Sequence, residues 1–204
     1  MARPVRLSAD DILVPAEREF TGRGYGDTSL RQLIAAAGVS TTAFYARFAS
    51  KEDVLVALVE RLIADLFRAE AAALVSVRST SEGVDRAVQV LIDTFASHRG
   101  LVALALTEGL ALPALRRTMA TAYRGLVDML ATQLALAAGA AGASLPDPTG
   151  LAWAFVGGVQ LQIARWAVFE EIELEELGSA LRQVGVTLLP AVSGARGSRP
   201  EKRR

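Results

Sequence analysis

The stretch "TSLRQLIAAAGVSTTAFYARFASKEDVLVALVE", residues 28–60, predicts two short helices joined by a tight turn and followed by a long helix. Thr28 or Ser29 can cap the first short helix, because either side chain can accept a hydrogen bond from its unpaired backbone N–H groups. Gly38 stands where a helix commonly ends in a left-handed residue, and Ser40 can cap the next helix almost at once. Two helices that meet so closely and at a steep angle form a helix-turn-helix.

A helix on either side completes this arrangement. Upstream, Ser8 can cap a first helix that runs toward Gly22, although Pro15 inside it removes a backbone donor and should bend or shorten it. Downstream, Ser50 followed by Asp53 resembles a capping box and opens the long helix. We therefore expect a three-helix head, joined to the rest of the chain by a fourth helix.

The remaining sequence also places apolar residues at helical spacing and has no run of alternating β-branched residues. Turn signals leave five further helices, and these signals lie at 79–83, 98–100, 113, 139–148 and 170–173. The sequence therefore predicts an all-α protein of about nine helices, with an N-terminal helix-turn-helix head and a larger C-terminal helical domain.

The composition argues against most kinds of catalytic and metal site. The 204 residues include no cysteine and a single histidine, His98. Disulfides and thiolate nucleophiles are thereby excluded, and a histidine-based metal centre is disfavoured. His98 itself stands at a helix end, where a C-terminal capping role is expected. We predict no enzyme activity, no catalytic residue, no cofactor and no metal site.

Two stretches bear on export and membrane insertion. The basic N-terminus runs into Asp10 and Asp11 without an apolar core, so it does not predict a signal peptide. The longest charge-free run, from Met129 to Pro146, contains polar residues and several glycines that suit a membrane span poorly. Both observations favour a cytoplasmic protein that does not enter a membrane.

The formal net charge is zero, but the charges are unevenly distributed. Up to Lys51, seven basic residues stand against five acidic ones, and from Arg196 onward five basic residues stand against one acidic residue. The long segment between these ends is acidic in balance. A basic head suits an anionic partner, although an ordinary solvated surface has the same appearance.

Several residues of the head resemble those of the TetR family of bacterial transcriptional repressors. They are Ile12 and Phe20 in the first helix, Gly24 and Tyr25 in the turn, and the quoted residues 28–60. Further along, "GGVQLQIARW" and "ELEELGSALRQ" resemble the last two helices of many members. The resemblance implies an all-α homodimer with a DNA-binding head, a ligand pocket in the body and dimerisation through the last two helices.

On this basis the chain divides into three parts. Residues 1–50 form a helix-turn-helix DNA-binding domain, 51–193 a helical effector-binding and dimerisation domain, and 194–204 a basic tail that we predict to be disordered. The partners implied are a double-stranded DNA operator, a small-molecule effector and a second copy of the chain.

The second helix of the motif has two distinct faces when residues are placed at roughly 100° intervals. With Phe44 toward the core, Phe48 lies on the same side, whereas Thr42 and Ala46 point nearly opposite. Tyr45 lies on a flank, from which its hydroxyl can reach a phosphate. Small side chains on the outer face allow a close approach to base edges and thymine methyl groups.

By resemblance, two groups of head residues match positions that contact DNA in the family. The positions that commonly hold phosphates are Thr28, Ser29, Arg31, Tyr45 and Lys51. The positions used for base readout are Ser40, Thr41, Thr42, Ala43 and Arg47. A surface ion pair is the alternative role for Arg47. Ala46 stands where the family often has a longer polar side chain, which predicts narrow sequence readout.

In the body, aromatic, methionine and polar residues can line a pocket for a flat apolar ligand, although an ordinary core shows the same pattern. The candidates are Glu108, Arg117, Met119, Tyr123, Trp153, Gln162 and Trp166. Paired glycines inside a helix cost stability, so they indicate close backbone approach, either at a dimer interface or within the protomer. The candidate interface residues are Gly157, Gly158, Leu181 and Val184.

The sequence supports two functional hypotheses. The first is a ligand-responsive transcriptional regulator, specifically a repressor, that binds a near-palindromic operator as a homodimer and is released by a small hydrophobic effector. The second is a helical carrier or scavenger of hydrophobic small molecules whose head contacts proteins and not DNA. Salt-sensitive affinity for DNA distinguishes them, because only the first hypothesis predicts it.

Overall fold

The computed structural model of the chain describes residues 8–74 and 80–186. Over these residues it contains nine helices and no strand, which confirms the predicted all-α class. The turn signal at residue 79 and the predicted tail at 194–204 lie outside the described residues. In chain order the helices are α1 (Asp10–Arg23), α2 (Leu30–Ala37), α3 (Thr41–Tyr45), α4 (Lys51–Leu74), α5 (Thr80–Ala96), α6 (Arg99–Glu108), α7 (Pro113–Ala140), α8 (Pro148–Ala167) and α9 (Leu174–Val186).

Helix α1 begins with a reciprocal pair of capping hydrogen bonds. The Ser8 hydroxyl accepts one from Asp11 N at 3.3 Å, and the Asp11 carboxylate accepts one from Ser8 N at 2.7 Å. Pro15 lies inside the helix, which continues beyond it, so the predicted shortening does not occur. Burial of the inner face offsets the hydrogen bond lost at proline, and that face consists of Ile12, Leu13, Ala16 and Phe20.

Helices α2 and α3 are short and have well-formed N-terminal caps. The Ser29 hydroxyl accepts from Gln32 N at 3.3 Å, and the Gln32 side-chain oxygen accepts from Ser29 N at 2.8 Å, which completes a capping box. At α3, the Ser40 hydroxyl accepts from Ala43 N at 3.1 Å. Gly38 has φ 63° and ψ 25°, so a left-handed residue ends α2 as predicted.

The start of α4 makes more contacts than the capping box that the sequence predicted. The Ser50 hydroxyl accepts from Asp53 N at 3.1 Å, as in a capping box. The Asp53 carboxylate accepts from Ala49 N at 3.1 Å, one residue earlier than a standard box requires. A side chain of the same turn, Glu52, accepts from Ala114 N at the start of α7 at 2.7 Å. The first turn of α4 is thus fixed both by its own cap and by α7.

The chain forms two compact units. Unit 1 comprises Met1–Ala69 and Asp93–Ala120, and unit 2 comprises Glu70–Ile92 and Thr121–Arg204. Helices α4, α5 and α7 contribute residues to both units. The domain boundary after residue 50, inferred from the sequence, stays a prediction.

Each unit buries its own apolar side chains, and each fully buried large side chain stabilises the fold by about 1.5–3 kcal/mol. The completely buried large side chains of unit 1 include Phe20, Leu33, Phe44, Leu55, Leu58, Leu101 and Leu115. In unit 2, α7 and α8 bury a cluster formed by Val127, Ala131, Leu134, Ala152 and Val156. Helix α9 packs on α8 in the same unit.

No single helix of the described residues is long and apolar enough to cross a membrane. Residues Glu82–Ala96 and Arg99–Glu108 would together meet the length and composition required, but they are bent by 92° at the break between them. Within the described part of the chain, no three His, Cys, Asp or Glu side chains are grouped so that they could hold a metal ion.

Candidate nucleic-acid interface

Helix α3 has one buried face and one exposed face. Phe44 is completely buried, and its ring centre lies 6.0 Å from that of the half-buried Phe48. On the other face Thr41 and Thr42 are exposed, and Tyr45 is 53% exposed. The inward direction of Phe44 is confirmed, whereas Phe48 belongs to the core only in part.

Regular helix ends at Tyr45, earlier than the helical-wheel placement assumed. Beyond it the carbonyl of Phe44 accepts from both Arg47 N at 2.9 Å and Phe48 N at 3.0 Å, so the chain completes one more irregular turn. Arg47 is exposed. Ala46 is exposed as well, and Ala43 is half-buried. Arg47 therefore lies on the exposed surface that continues from α3.

The start of α2 contributes a second group of exposed residues. Ser29 and Arg31 are both exposed, and the Ser29 hydroxyl also lies 2.7 Å from the side-chain oxygen of Gln32. From residue 28 to residue 51 the chain carries Arg31, Arg47 and Lys51 but no acidic residue. The segment that forms α2 and α3 is therefore positively charged, which suits a polyanion.

Thr28 does not belong to this surface. The residue is 0% exposed, and its hydroxyl donates to the carbonyl of Gly24 at 2.7 Å and lies 3.3 Å from the carbonyl of Glu19. A buried hydroxyl whose proton is already engaged cannot reach a phosphate. The predicted phosphate contact of the Thr28 side chain is therefore corrected: Thr28 ties the connection between α1 and α2 to the end of α1.

Lys51 is likewise engaged within the protein. Its Nζ donates to the carbonyls of Tyr25 at 2.8 Å, Thr28 at 3.0 Å and Gly26 at 3.3 Å. It also lies 4.4 Å from the centre of the Tyr25 ring. An ammonium group has three N–H donors, and three acceptors surround this one. The predicted phosphate contact of Lys51 is corrected on the same ground, because its donors are directed at the turn between α1 and α2.

The Tyr25 ring that faces Lys51 is held by the core of unit 1. Its centre lies 5.5 Å from that of Phe20. Partial burial, followed by the nearby carboxylates of Glu52, Glu108 and Asp53, raises the pKa of the Tyr25 phenol above its usual value of 10. The phenol therefore stays neutral at physiological pH, and Lys51 faces an uncharged ring.

The predicted pocket residues are divided between the two units. Unit 1 contains Glu108, Arg117 and Met119, and unit 2 contains Tyr123, Trp153, Gln162 and Trp166. In unit 2, Trp166 is buried, and Tyr123 is half-buried against the core cluster, where burial raises its pKa to about 12. The Gln162 side-chain oxygen accepts from Arg165 at 2.9 Å. Tyr123 thus has the apolar surroundings that a pocket residue needs, and Trp166 is shielded from solvent.

Two of the predicted pocket residues face outward instead. Arg117 is exposed on α7, and Trp153 is 47% exposed on α8. Helical spacing shows which residues share a face, but it does not show which face is covered by neighbouring helices. The prediction that Arg117 and Trp153 line a pocket is therefore corrected: both lie at the surface of the protomer.

The predicted interface residues have different surroundings. Leu181 is 1% exposed inside the protomer, so its side chain cannot meet a partner, and this prediction is wrong. A Cβ at Gly158 would stand 3.4 Å from Cγ1 of Val184, so this pair serves the packing of α8 on α9. Gly157 is exposed, and a Cβ there would meet no atom within 4 Å. Of the two explanations for paired glycines, intramolecular packing applies to Gly158, and an interface remains open for Gly157.

The structure also shows polar contacts that no local signal in the sequence indicates. His98 precedes α6, and its Nδ1 lies 2.6 Å from Oε1 of Glu17 in α1, which replaces the predicted C-terminal capping role. Arg61 of α4 lies 3.6 Å from Glu17 and 2.7 Å from Asp10. In unit 2, Glu70 is half-buried, and burial raises its pKa to about 7. The partners of His98 and Arg61 are far away in the chain, so only the fold brings them together.

Comparison with known proteins finds relatives of the head. Residues 12–58 match the model described as bacterial regulatory proteins, tetR family. The HTH-type transcriptional regulator EthR of Mycobacterium tuberculosis (strain H37Rv) is 33% identical over 111 residues, which cover 48% of this chain and 49% of that protein. The chain thus spans about half the length of the curated relatives it matches.

Solved structures resemble the chain over nearly its whole length. A TetR-family transcriptional regulator from Syntrophomonas wolfei has a TM-score of 0.78 and 18% identity, covering 94% of this chain and 97% of the other. The fatty acid degradation regulator FadR from Bacillus halodurans has a TM-score of 0.73 and 19% identity, covering 96% and 98%. At such identities the likeness shows the fold. Residues 12–58 therefore match the tetR family of bacterial regulatory proteins, and the helices that follow have the fold of these solved structures.

Proposed function

We propose that the chain is a ligand-responsive transcriptional repressor that binds a near-palindromic operator as a homodimer in the cytoplasm and is released by a small hydrophobic effector. The observation that carries this proposal is the exposed surface of α2 and α3, which we call the reading surface. It lies within the tetR-family match, contains two arginines and has no acidic residue. Its residues are Ser29, Arg31, Ser40, Thr41, Thr42, Tyr45, Ala46 and Arg47.

The reading surface combines groups that suit phosphates with groups that suit bases. Arg31 at the start of α2 and the Tyr45 hydroxyl on α3 can donate to phosphate oxygens, which fixes the position of the head without reading the sequence. Thr42 and Ala46 are exposed and short, so they allow α3 to approach base edges and thymine methyl groups. Ala46 offers no hydrogen bond, and readout therefore depends mainly on the neighbouring hydroxyl and guanidinium groups.

A homodimer fits the geometry of such a target. Two recognition helices related by a twofold axis enter successive major grooves when they are about 34 Å apart. Helix α8 has an exposed apolar stripe, defined by Trp153, Gly157 and Leu161, whose members are one helical turn apart on the same face. We assign the dimer contact to this α8 stripe, with Gly157 retained from the predicted residues and Leu181 excluded.

Release by an effector requires that the effector favour one spacing of the two heads. A change from mostly binding to mostly non-binding protein needs roughly a 10⁴-fold preference for one state, about 5.5 kcal/mol. In unit 2, Tyr123 packs against an apolar cluster and keeps its phenolic proton. A hydrophobic molecule that offers one hydrogen-bond acceptor suits such surroundings.

In vitro selection from a random pool of duplex DNA by the wild-type chain tests this function. We expect a near-palindromic site, with the logarithm of the affinity falling linearly as the logarithm of salt concentration rises. Tyr45→Phe should weaken binding to all duplexes about equally, whereas Thr42→Val should change the selected sequence. The two variants control for each other, since each removes one hydroxyl from the same helix.

The same selection experiment can also contradict the repressor function. If no sequence is enriched and any DNA binding is insensitive to salt, the repressor assignment fails. Binding of hydrophobic molecules under those conditions would favour the carrier, which needs no DNA contact.

A further inference from the structure

We infer that Lys51 is a positioning residue for DNA binding: by holding the turn between α1 and α2, it fixes the start of α2 and places Ser29 and Arg31 for contact with phosphates. This inference rests on the proposed function. It gives Lys51 a role that acts through α2, in place of the direct phosphate contact that its position in the sequence predicted.

The contacts of Lys51 converge on one short segment. Its Nζ lies 2.8 Å, 3.3 Å and 3.0 Å from the carbonyl oxygens of Tyr25, Gly26 and Thr28. Thr28 directly precedes Ser29, which is the N-cap of α2. Carbonyl groups in a turn lack the regular partners that a helix provides, and charge-assisted hydrogen bonds are the stronger kind. One ammonium group that donates to three carbonyls therefore fixes the path of the chain into α2.

The same turn is fixed to α1 by independent contacts. The Tyr25 ring lies 4.4 Å from Lys51 Nζ and 5.5 Å from the Phe20 ring, as measured to the ring centres. The Thr28 hydroxyl donates to the carbonyl of Gly24 at 2.7 Å. The turn is therefore held from α1 on one side and from α4 on the other.

Lys51 can act as an anchor because its own helix start is fixed. It is the first residue of α4, whose first turn is capped by the Ser50 hydroxyl on Asp53 N at 3.1 Å. In the same turn, the Glu52 carboxylate accepts from Ala114 N at 2.7 Å. The first turn of α4, held by its own cap and by α7, thus fixes the position of Nζ. Through its contacts, Nζ fixes the start of α2.

Direct binding of a phosphate by Lys51 would have to displace these acceptors. A phosphate oxygen would compete with three carbonyls that are already at hydrogen-bonding distance. The positive charge of Lys51 still contributes to the general attraction of DNA, but this long-range term is screened by salt.

A double-mutant cycle on a duplex selected by the wild-type chain tests the positioning role. The variants are Lys51→Met, Arg31→Ala and the double substitution, with Arg18→Met as a control that removes one exposed positive charge from α1. We expect Lys51→Met to weaken binding about ten-fold. If Arg31 depends on Lys51 for its position, Arg31→Ala should have much less effect in the Lys51→Met background than in the wild type. Two independent phosphate contacts would instead give losses that multiply.

Lys51→Arg separates charge from geometry. Arginine keeps the positive charge and would serve a phosphate at least as well as lysine. Its planar guanidinium cannot direct donors at the same three converging carbonyls as a compact ammonium does. We therefore expect Lys51→Arg to bind the selected duplex more weakly than the wild type.

A measurement without DNA completes the test. Thr28 N donates to the carbonyl of Tyr25 at 3.4 Å, so its amide exchange reports on the turn. Exchange at Thr28 and at the first amides of α2 should accelerate in Lys51→Met and stay unchanged in Arg18→Met, with both variants folded at the assay temperature. Losses that multiply in the cycle, or unchanged amide exchange in the turn, would overturn the positioning role of Lys51. Neither result would contradict the proposed binding of DNA by the wild-type chain. Failure of the wild-type chain to select any duplex would overturn the proposed function and this inference together.

Discussion

Glu70 on α4 gives the stability of the protein a specific pH dependence. Burial raises the pKa of this half-buried carboxyl group from 4.5 to about 7. Between these pH values the native state holds a proton that the unfolded chain has released. The contribution of Glu70 is therefore most favourable below about pH 4.5 and is lost as the pH rises to about 7. After allowance for solvent screening of a partly exposed group, we expect this loss to be about 1–2 kcal/mol.

Urea unfolding at pH 5 and pH 8 measures the contribution of Glu70. The free energy of unfolding of the wild type should fall more steeply between these pH values than that of Glu70→Gln, which cannot ionise. Asp85→Asn, at an exposed position of α5 in the same unit, should follow the wild type. An identical pH dependence for the wild type and Glu70→Gln would show that this carboxyl titrates normally.

Single residues differ in how far the sequence could assign their roles. The burial of Phe44 could be predicted because the period of a helix decides which residues share a face. The roles of Thr28 and Lys51 could not, although both lie in the motif that identified the head. The acceptors of Lys51 are 23 to 26 residues away in the chain, and the hydroxyl acceptors of Thr28 are four and nine residues away. Such partners follow from how α4 meets the turn after α1, which a local pattern does not contain.

Among the helices, α2 depends most clearly on its cap. It contains only 8 residues, a length at which an isolated helix is unstable in water. Ser29→Ala removes the hydroxyl half of the capping box and should lower the free energy of unfolding by about 1 kcal/mol. Ser40→Ala removes a single hydrogen bond at α3 and is the matched comparison, for which we expect a smaller loss. Urea unfolding of both variants shows which substitution lowers the free energy of unfolding more. A larger decrease for Ser40→Ala would contradict the importance of the reciprocal bond to Gln32.

The number, order and caps of the helices are local properties, and the sequence predicted most of them. Ser8, Ser29 and Ser40 cap helices as expected because each side chain bonds to an N–H group only three residues away. Two helix properties differ from these local expectations. Helix α1 continues through Pro15 with a fully buried inner face, and α3 ends at Tyr45 over a buried Phe44.

In the molecule as a whole, the sequence could not show which faces of the last helices are covered. Trp153 and Leu181 are both large and apolar, and the sequence assigned the first to a pocket and the second to an interface. The structure exposes Trp153 and buries Leu181, because the packing of α9 on α8 covers one face of each helix. An exposed apolar stripe is more informative about partners than an apolar residue as such.

Gly157 offers a direct test of the proposed dimer through the α8 stripe. In the protomer a Cβ at this position meets no atom within 4 Å, so Gly157→Arg should not disturb the fold. Arginine favours helix more than glycine does, and the protomer should gain up to about 1 kcal/mol. In a dimer formed through Trp153 and Leu161, the same substitution would bury an unpaired charge at the interface, and the dimer should dissociate.

Sedimentation and DNA binding report the two consequences of Gly157→Arg. We expect a monomer that unfolds no more easily than the wild-type protomer and binds the selected duplex at least about 100-fold more weakly, because each head then binds without the other. Thr121→Arg adds the same charge at an exposed position of α7 in unit 2 and should remain dimeric. If Gly157→Arg remained a dimer with unchanged DNA affinity, the contact between protomers would have to lie on another face, because an arginine cannot be accommodated in the centre of a closely packed helix interface.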